Sequence, residues 1–501
     1  MEFSYFCPRQ NNFVYLNDSI MRVRLFHQSS ILYVALLILL LSVVGMERLH
    51  AQEVIIDGLR YSLSDTTATV LGGSPGDLLE IPSSVSYNGN VYSVTAIGEG
   101  AFWCGYHYVG DLTIPGSVKE IGEEAFRNCW GFTGRLTIPN SVSVIGRNAF
   151  AGCIGFTEVF YDAKNCMDTS SSFSECGGIL IIGDDVERIP ARIFWNASFT
   201  GNLVIPSSVI SIGDNAFFHC TGFSGSLVIP DSVTEIGANA FSLCSGFSGY
   251  LSIPNSITEL KEGVFQGCFG FIGDLVIPDS VTIIGDCAFA DCQGFTGNLN
   301  IPDSVREIGF AAFADCSGFT SNLIIPNSVT TIGRSAFYGC SGFEGSLTIS
   351  SSVTYIRSLA FSGCVGFNNC LVLCETPPQL EDSPFDESLT HLIVPCGCIP
   401  VYEVSDWHNH FTTITDDCTN VTEVPENMVS LYPNPTNGLV RIEAENIKHI
   451  TISNALGQSI YASCVNCNVF DYDCGRHGAG LYFIKIETAN GMALRRVSVT
   501  M

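Results

Sequence analysis

The apolar residues of this chain fall in fixed columns. Between Ser226 and Phe247 they are Leu227, Ile229, Val233, Ile236, Ala240, Phe241, Cys244 and Phe247, a third of the unit, and the same columns return every 24 residues. Proline marks the period at Pro115, Pro139, Pro206, Pro230, Pro254, Pro278, Pro302 and Pro326, each step being 24 residues except the long one after Pro139. Ser350 takes the proline position in the last clear copy, and Pro82 marks an earlier copy lengthened by an insertion, Tyr87 to Ser93. The long step hides a 23-residue copy, ILIIGDDVERIPARIFWNASF, with Gly183 in place of proline, preceded by a poorly matching stretch from Glu158 to Cys176. A period of this length over so many copies is the signature of a stacked repeat architecture.

Within one unit, Leu227 and Ile229 alternate with Ser226 and Val228, which predicts a strand of three or four residues facing the core on one side. Proline ends it, and the Pro-Asp-Ser or Pro-Asn-Ser that follows is turn chemistry, because proline fixes φ and short polar side chains bond nearby backbone. Ile236-Gly237 begins a second short extended piece, Ala240-Phe241 is expected on one helical or 3₁₀ turn, and Gly246 reverses the chain. A single unit cannot enclose its own apolar columns. Units therefore stack, strand on strand at ~4.8 Å. The predicted fold is a leucine-rich-repeat solenoid of 24-residue units, with a parallel β-sheet on the concave face and short strands or 3₁₀ turns on the convex face.

The run IPxSVxxIGxxAFxxC resembles the BspA-type leucine-rich repeats of bacterial and some parasite surface proteins, and the likeness covers about Ile81 to Phe367. The resemblance implies an adhesin-like, host-binding role, although one repeat fold serves many ligands. After it, LCETPPQL and HLIVPCGCIPVYEVSDWHNHF keep one strand-like segment and a proline stop. This is read as an atypical terminal unit with Tyr402, Trp407 and Phe411 as lid residues, and it resembles the end segment of the same family.

Past a polar stretch the repeat is lost. Short alternating strands, RIEAE, HITISNA, LYFIKIE and RRVSVTM, separated by Asn/Gly turns, predict a small antiparallel β-sandwich. The segments Leu431-Tyr432-Pro433-Asn434-Pro435-Thr436-Asn437-Gly438, Asn454-Ala455-Leu456-Gly457-Gln458 and Gly480-Leu481-Tyr482-Phe483-Ile484-Lys485-Ile486 resemble the C-terminal sorting domain of the type IX secretion route of the Bacteroidetes. On that resemblance Pro433, Asn434, Pro435, Gly438, Gly457, Gly480 and Tyr482 are the sorting-motif residues, and the type IX machinery is a partner.

The expected organisation is an over-extended start at 1–20, a signal peptide at 21–51, the solenoid at 53–369, the terminal cap at 370–417, a linker at 418–428 and the sorting domain at 429–501. The signal peptide rests on Arg22 and Arg24, the apolar run Ile31 to Met46 and a Leu49-His50-Ala51 cleavage site. That run is shorter than the ~20 residues that span a bilayer, so the mature chain is expected to carry no transmembrane segment. The 501 residues bear a formal net charge of -27, with 22 Lys+Arg against 49 Asp+Glu and no basic cluster. This excludes the phosphate-neutralising surface that nucleic-acid binding needs.

Catalytic constellations are missing. Gly72-Gly73-Ser74-Pro75-Gly76 spells a hydrolase nucleophile elbow, but Pro75 has no N–H to give an oxyanion. No cofactor is expected. Cys129, Cys153, Cys220, Cys244, Cys268, Cys292, Cys316, Cys340 and Cys364 share one column and are read as a ladder of small buried side chains. Cys370, Cys374, Cys396, Cys398 and Cys418 cluster in the cap, where disulfides would fit. Cys464, Cys467 and Cys474 lack the second paired motif of a zinc site, and His408 and His410 lack a third ligand, so no metal is expected.

What remains is binding to an extracellular protein or glycan. The columns beside each strand leucine point away from the core, and Arg135, Asn202, Tyr250, Asp274, Asn298, Asn300 and Asn322 are the candidate ligand-facing residues. The expected function is an exported surface or secreted binding protein, not an enzyme. The alternative is a structural spacer of the cell surface without a specific ligand.

Overall fold

The computed structural model describes residues 52–166, 171–418, 428–455, 458–489 and 491–500. The export segment expected at 21–51, most of the linker and Gly457 lie outside them.

Three hydrogen-bonded ladders join successive units. The first is the leucine strand, seen at Arg135–Ile138, Glu158–Tyr161 and Gly177–Ile182, which pair parallel with Leu136 opposite Val159 and Val159 opposite Leu180. The second is the two-residue strand around the repeat isoleucine, where Ile284 lies opposite Ile308 and Ile308 opposite Ile332. The third runs through the Ala-Phe segment and replaces the helical or 3₁₀ turn expected there. Alternate N–H groups turn back locally, as Ala240 to the Gly237 carbonyl at 3.3 Å and Cys244 to the Phe241 carbonyl at 3.2 Å. Those between them leave the unit, as Phe241 to the Val264 carbonyl at 3.0 Å and Leu243 to the Gln266 carbonyl at 2.6 Å. A helix keeps every amide within itself, so the segment instead turns twice through left-handed residues four apart, Asn239 at φ 55° and Leu243 at φ 61°.

Inside the coil the apolar columns are buried throughout, and the two phenylalanine columns form stacks. Phe265, Phe289 and Phe313 lie ring over ring at 5.6 and 5.5 Å, and Phe271, Phe295 and Phe319 at 5.8 and 6.2 Å. The spacing follows from the strand separation, because identical residues on paired strands are held one strand apart. The poorly matching stretch before Cys176 keeps its place in the stack over its described residues. Its strand Glu158–Tyr161 is in register with both neighbours, and Phe173 joins the stack 5.0 Å from Phe150.

At the N-terminal side the Tyr87 to Ser93 insertion forms a hairpin, Ser84–Tyr87 with Asn90–Ile97, turned by Asn88 and Gly89 at φ 50° and 83°. At the other end Phe385 meets Trp407 at 5.2 Å and Phe411 at 5.1 Å, ending the stack. Tyr402 and Trp407 are fully buried; the tyrosine hydroxyl donates to the Cys374 carbonyl at 2.8 Å and the indole N–H to the Pro378 carbonyl at 2.8 Å. Both rings pack against the end of the phenylalanine stack or its neighbours.

The small C-terminal β domain is a single hydrogen-bonded antiparallel sheet of five strands. The long strand Leu439–Asn454 pairs with Ser459–Asp473 on one side and with Val429–Tyr432 and then Gly480–Thr488 on the other. Register shifts between Glu443 and His449 bend it. It encloses its own core of Val440, Ile442, Ile450, Ile452, Ile484, Ile486 and Val497.

Candidate functional site

All seven candidate ligand-facing residues are exposed, but their surroundings divide them. The Asn322 side chain accepts the N–H of Ser346 at 2.7 Å, as Asp111 accepts that of Arg135 at 2.6 Å and Ser226 that of Tyr250 at 3.1 Å. These polar groups satisfy backbone at the start of the next strand, which is structural work. Arg135 pairs with Glu158 at 3.3 Å, and its guanidinium lies 4.8 Å from the centre of the Phe160 ring. Asn202 and Tyr250 stand on the strand face beside Val204 and Val228, which are 63% and 47% exposed.

Asp274, Asn298 and Asn300 are brought together. They line one recess of about 360 Å³ with Val276 and Gly297. Here the leucine ladder thins to single bridges, Gly273 to Phe295, Val276 to Asn300 and Gly297 to Phe319, where neighbouring units hold paired strands. Asparagine is poorly suited to a pleated strand, and two of them flank Leu299. That local weakness, Asn300 where other units carry Thr, Val, Ile or Ser, is the trace of the recess in the sequence.

The described sorting residues, all but Gly457, lie in the C-terminal sheet. The Asn434 side chain donates to the Arg496 carbonyl at 2.7 Å and accepts the Ser498 N–H at 3.0 Å, so an amide side chain does the work of a strand. Pro433 and Pro435, which have no N–H, flank it at this edge. Gly438, at φ 139°, accepts the Cys474 N–H at 2.8 Å, and a Cβ there would meet the Gly475 backbone at 3.2 Å. Gly480 pairs with Val499 and buried Tyr482 with Val497, and the Tyr482 hydroxyl bonds the Gly478 carbonyl at 2.8 Å.

The ladder cysteines are free thiols and buried. Each donates to the phenylalanine carbonyl of the preceding unit, Cys268 to Phe241 at 3.0 Å and Cys316 to Phe289 at 3.0 Å. Burial pushes the thiols of Cys220 and Cys268 up to about 12. In the cap, Cys396 and Cys418 form a disulfide. The Lys485 ammonium sits 2.9 and 3.3 Å from the two sulfurs and 2.9 Å from Glu487. Among the described residues Cys396, Asp416 and Cys418 are close enough to suggest a metal. The sulfurs are bonded to each other and a cation already faces them, so the chemistry of this donor set is wrong for one. Cys474 is buried in the C-terminal core while Cys464 is exposed.

The BspA type Leucine rich repeat region matches in six copies, over residues 86–200, 187–271 and 265–390. The chain belongs to this family. The BspA-type array is followed by a Secretion system C-terminal sorting domain matched over residues 430–500. That domain marks the chain for type IX secretion, to the cell surface or beyond it, and for contact with the secretion machinery. No curated protein matches. Among solved structures, a leucine rich cell surface protein of Faecalibacterium prausnitzii is 28% identical, covering 64% of this chain and 94% of its own, with a TM-score of 0.37. A leucine-rich repeat protein of Bacteroides ovatus is 25% identical, covering 74% and 94%, with a TM-score of 0.42. The pneumococcal vaccine antigen PcpA is 15% identical, covering 73% and 99%, with a TM-score of 0.42. The matched families are repeat and sorting modules, and no catalytic family is among them. Among the described residues no helix is long and apolar enough to cross a membrane.

Proposed function

We propose that this BspA-type protein is an exported binding protein that takes an extracellular protein or glycan on its strand face, centred on Asp274, Asn298 and Asn300. The observation that carries the reading is the recess of about 360 Å³ opened where the strand ladder thins to bridges. A regular ladder presents a flat pleated surface; an interruption lined by three polar side chains gives a ligand hydrogen-bonding groups in a concavity. Val276 in its lining is 66% exposed, and Tyr250 one unit away is 57% exposed, so apolar contact area adjoins the polar groups. An N-terminal signal peptide cleaved near Ala51 is part of the same proposal.

The test is binding of the chain to arrayed extracellular-matrix proteins, bacterial surfaces and glycans. A saturable hit weakened about tenfold or more by Asn300→Ala, a loss of ~1.4 kcal/mol, supports the reading. The spacer reading has its own observation: Asn322, Asp111 and Ser226 spend their side chains on backbone. A folded chain that binds nothing in the array decides for the spacer.

A further inference from the structure

We propose that a second site, on the face formed by the isoleucine strands, binds the carboxylate of a uronic acid, free or within an acidic glycan. A recess of about 530 Å³ is lined there by Arg306, Arg334 and Arg357 from three successive units. None of the three belongs to an ion pair among the described residues. Three guanidiniums outside any such ion pair are unexpected in a chain with a net charge of -27, although that of Arg357 lies over the Tyr355 ring, 5.7 Å from its centre. Two carboxylates share the recess, and one of them, Asp286, accepts the Phe310 N–H at 2.8 Å.

The repeat supplies its own control. The residue two after the repeat isoleucine has an N–H that the strand ladder does not take, and in three units a carboxylate takes it. Asp214 accepts it from Ala238 at 2.8 Å and Asp286 from Phe310 at 2.8 Å. Glu381 accepts it from Ser358 at 3.0 Å; the Tyr355 hydroxyl and that N–H together hold its carboxyl down to about 2. In the unit between, the residue is Arg334. The preceding unit offers Phe310 where the units preceding Ala238 and Phe310 offer Asp214 and Asp286, and among the described residues no carboxylate takes the Arg334 N–H. The slot that holds a carboxylate in its neighbours is open here and ringed by arginines, whose planar forks match carboxylate geometry.

The remaining lining favours a sugar acid over an acidic peptide. Thr330 and Thr331 bring hydroxyl groups to the recess as partners for ring hydroxyls, and its apolar side chains are only the buried Ile308 and Phe310, 45% exposed. The arginines escaped the column reading because they occupy three different columns of the repeat.

The experiment is calorimetric titration of the full chain with galacturonate, oligogalacturonate, neutral galactose and a hexaglutamate peptide at low and moderate salt. The expected result is saturable, salt-weakened binding of galacturonate or its oligomer, with galactose silent; tighter binding of the oligomer than the monomer identifies the glycan as the source. Arg334→Ala is expected to weaken it at least tenfold. Phe310→Asp, which supplies the missing carboxylate without removing an arginine, is expected to abolish it, and Phe310→Ser, which removes only the ring, to keep it. These positions are exposed, and an unchanged urea midpoint verifies folding. Absence of uronate binding, equal binding by Phe310→Asp, or binding of hexaglutamate alone overturns the proposal. Asn300→Ala leaves this titration unchanged, so the two faces fail or succeed separately.

Discussion

At the scale of single residues, the columns carry the stability. Phe289 is fully buried between two stacked rings, and Phe289→Ala is expected to cost ~3–5 kcal/mol, read as a lowered denaturant midpoint. Phe269, 55% exposed, should tolerate the same change at about 0.5 kcal/mol or less. The thiols predict a pH dependence. Cys129, Cys220 and Cys268 are pushed up to about 12 from 9.0, so the folded chain keeps protons that the unfolded chain gives up. Their contribution is whole below pH 9 and is lost as pH rises towards 12, and urea midpoints measured from pH 8 to 11 should fall. Which residues are buried was legible in the sequence, because twenty-four-residue periodicity names the columns. The duty of an exposed polar residue was not. Asn322 and Asn298 hold the same column in the sequence, yet one side chain is bonded to the next strand's N–H and the other lines the recess.

At the scale of elements, the cap shows what a pattern conveys and what it hides. Tyr402, Trp407 and Phe411 are readable as a lid because the repeat fails there while aromatics persist. The pairing of Cys396 with Cys418 is not readable, because it depends on His391–Pro395 lying beside Thr413–Asp417, with Pro395 opposite Asp417. The disulfide closes a loop of 22 residues' separation that holds the lid, a constraint worth about 3 kcal/mol. Cys396→Ser should therefore lower the stability of the cap by that order and quench or shift Trp407 fluorescence at denaturant concentrations where the array is still folded. A single cooperative transition, with tryptophan and far-ultraviolet signals superimposed, would show that the cap has no separate stability. The Ala-Phe segment was misjudged for a related reason: local sequence cannot tell whether an amide bonds its own turn or the next coil.

For the whole molecule, an array of repeats and a sorting domain divide the labour. A chain lacking residues 430–501 should fold its repeats and stay behind the outer membrane, a distribution that cell fractionation measures; surface display of that truncated chain would remove the sorting role. Both modules were legible, one through its period and the other through three spaced segments. Their contact was not. Lys448 reaches Glu375 at 3.0 Å, and His449 and Glu487 are buried although polar, with His449 lying against Gly397.

The bonded thiol column sets a deadline. A chain that crosses an oxidising compartment with Cys129 to Cys364 unassembled offers a row of ionisable sulfurs to any disulfide-forming agent; once coiled, each is sealed from solvent and tied to a carbonyl. Closure of the coil must outrun oxidation. The thiols thereby act as a record of folding history, since a molecule that lingered unfolded carries cross-links that a promptly coiled one never acquires.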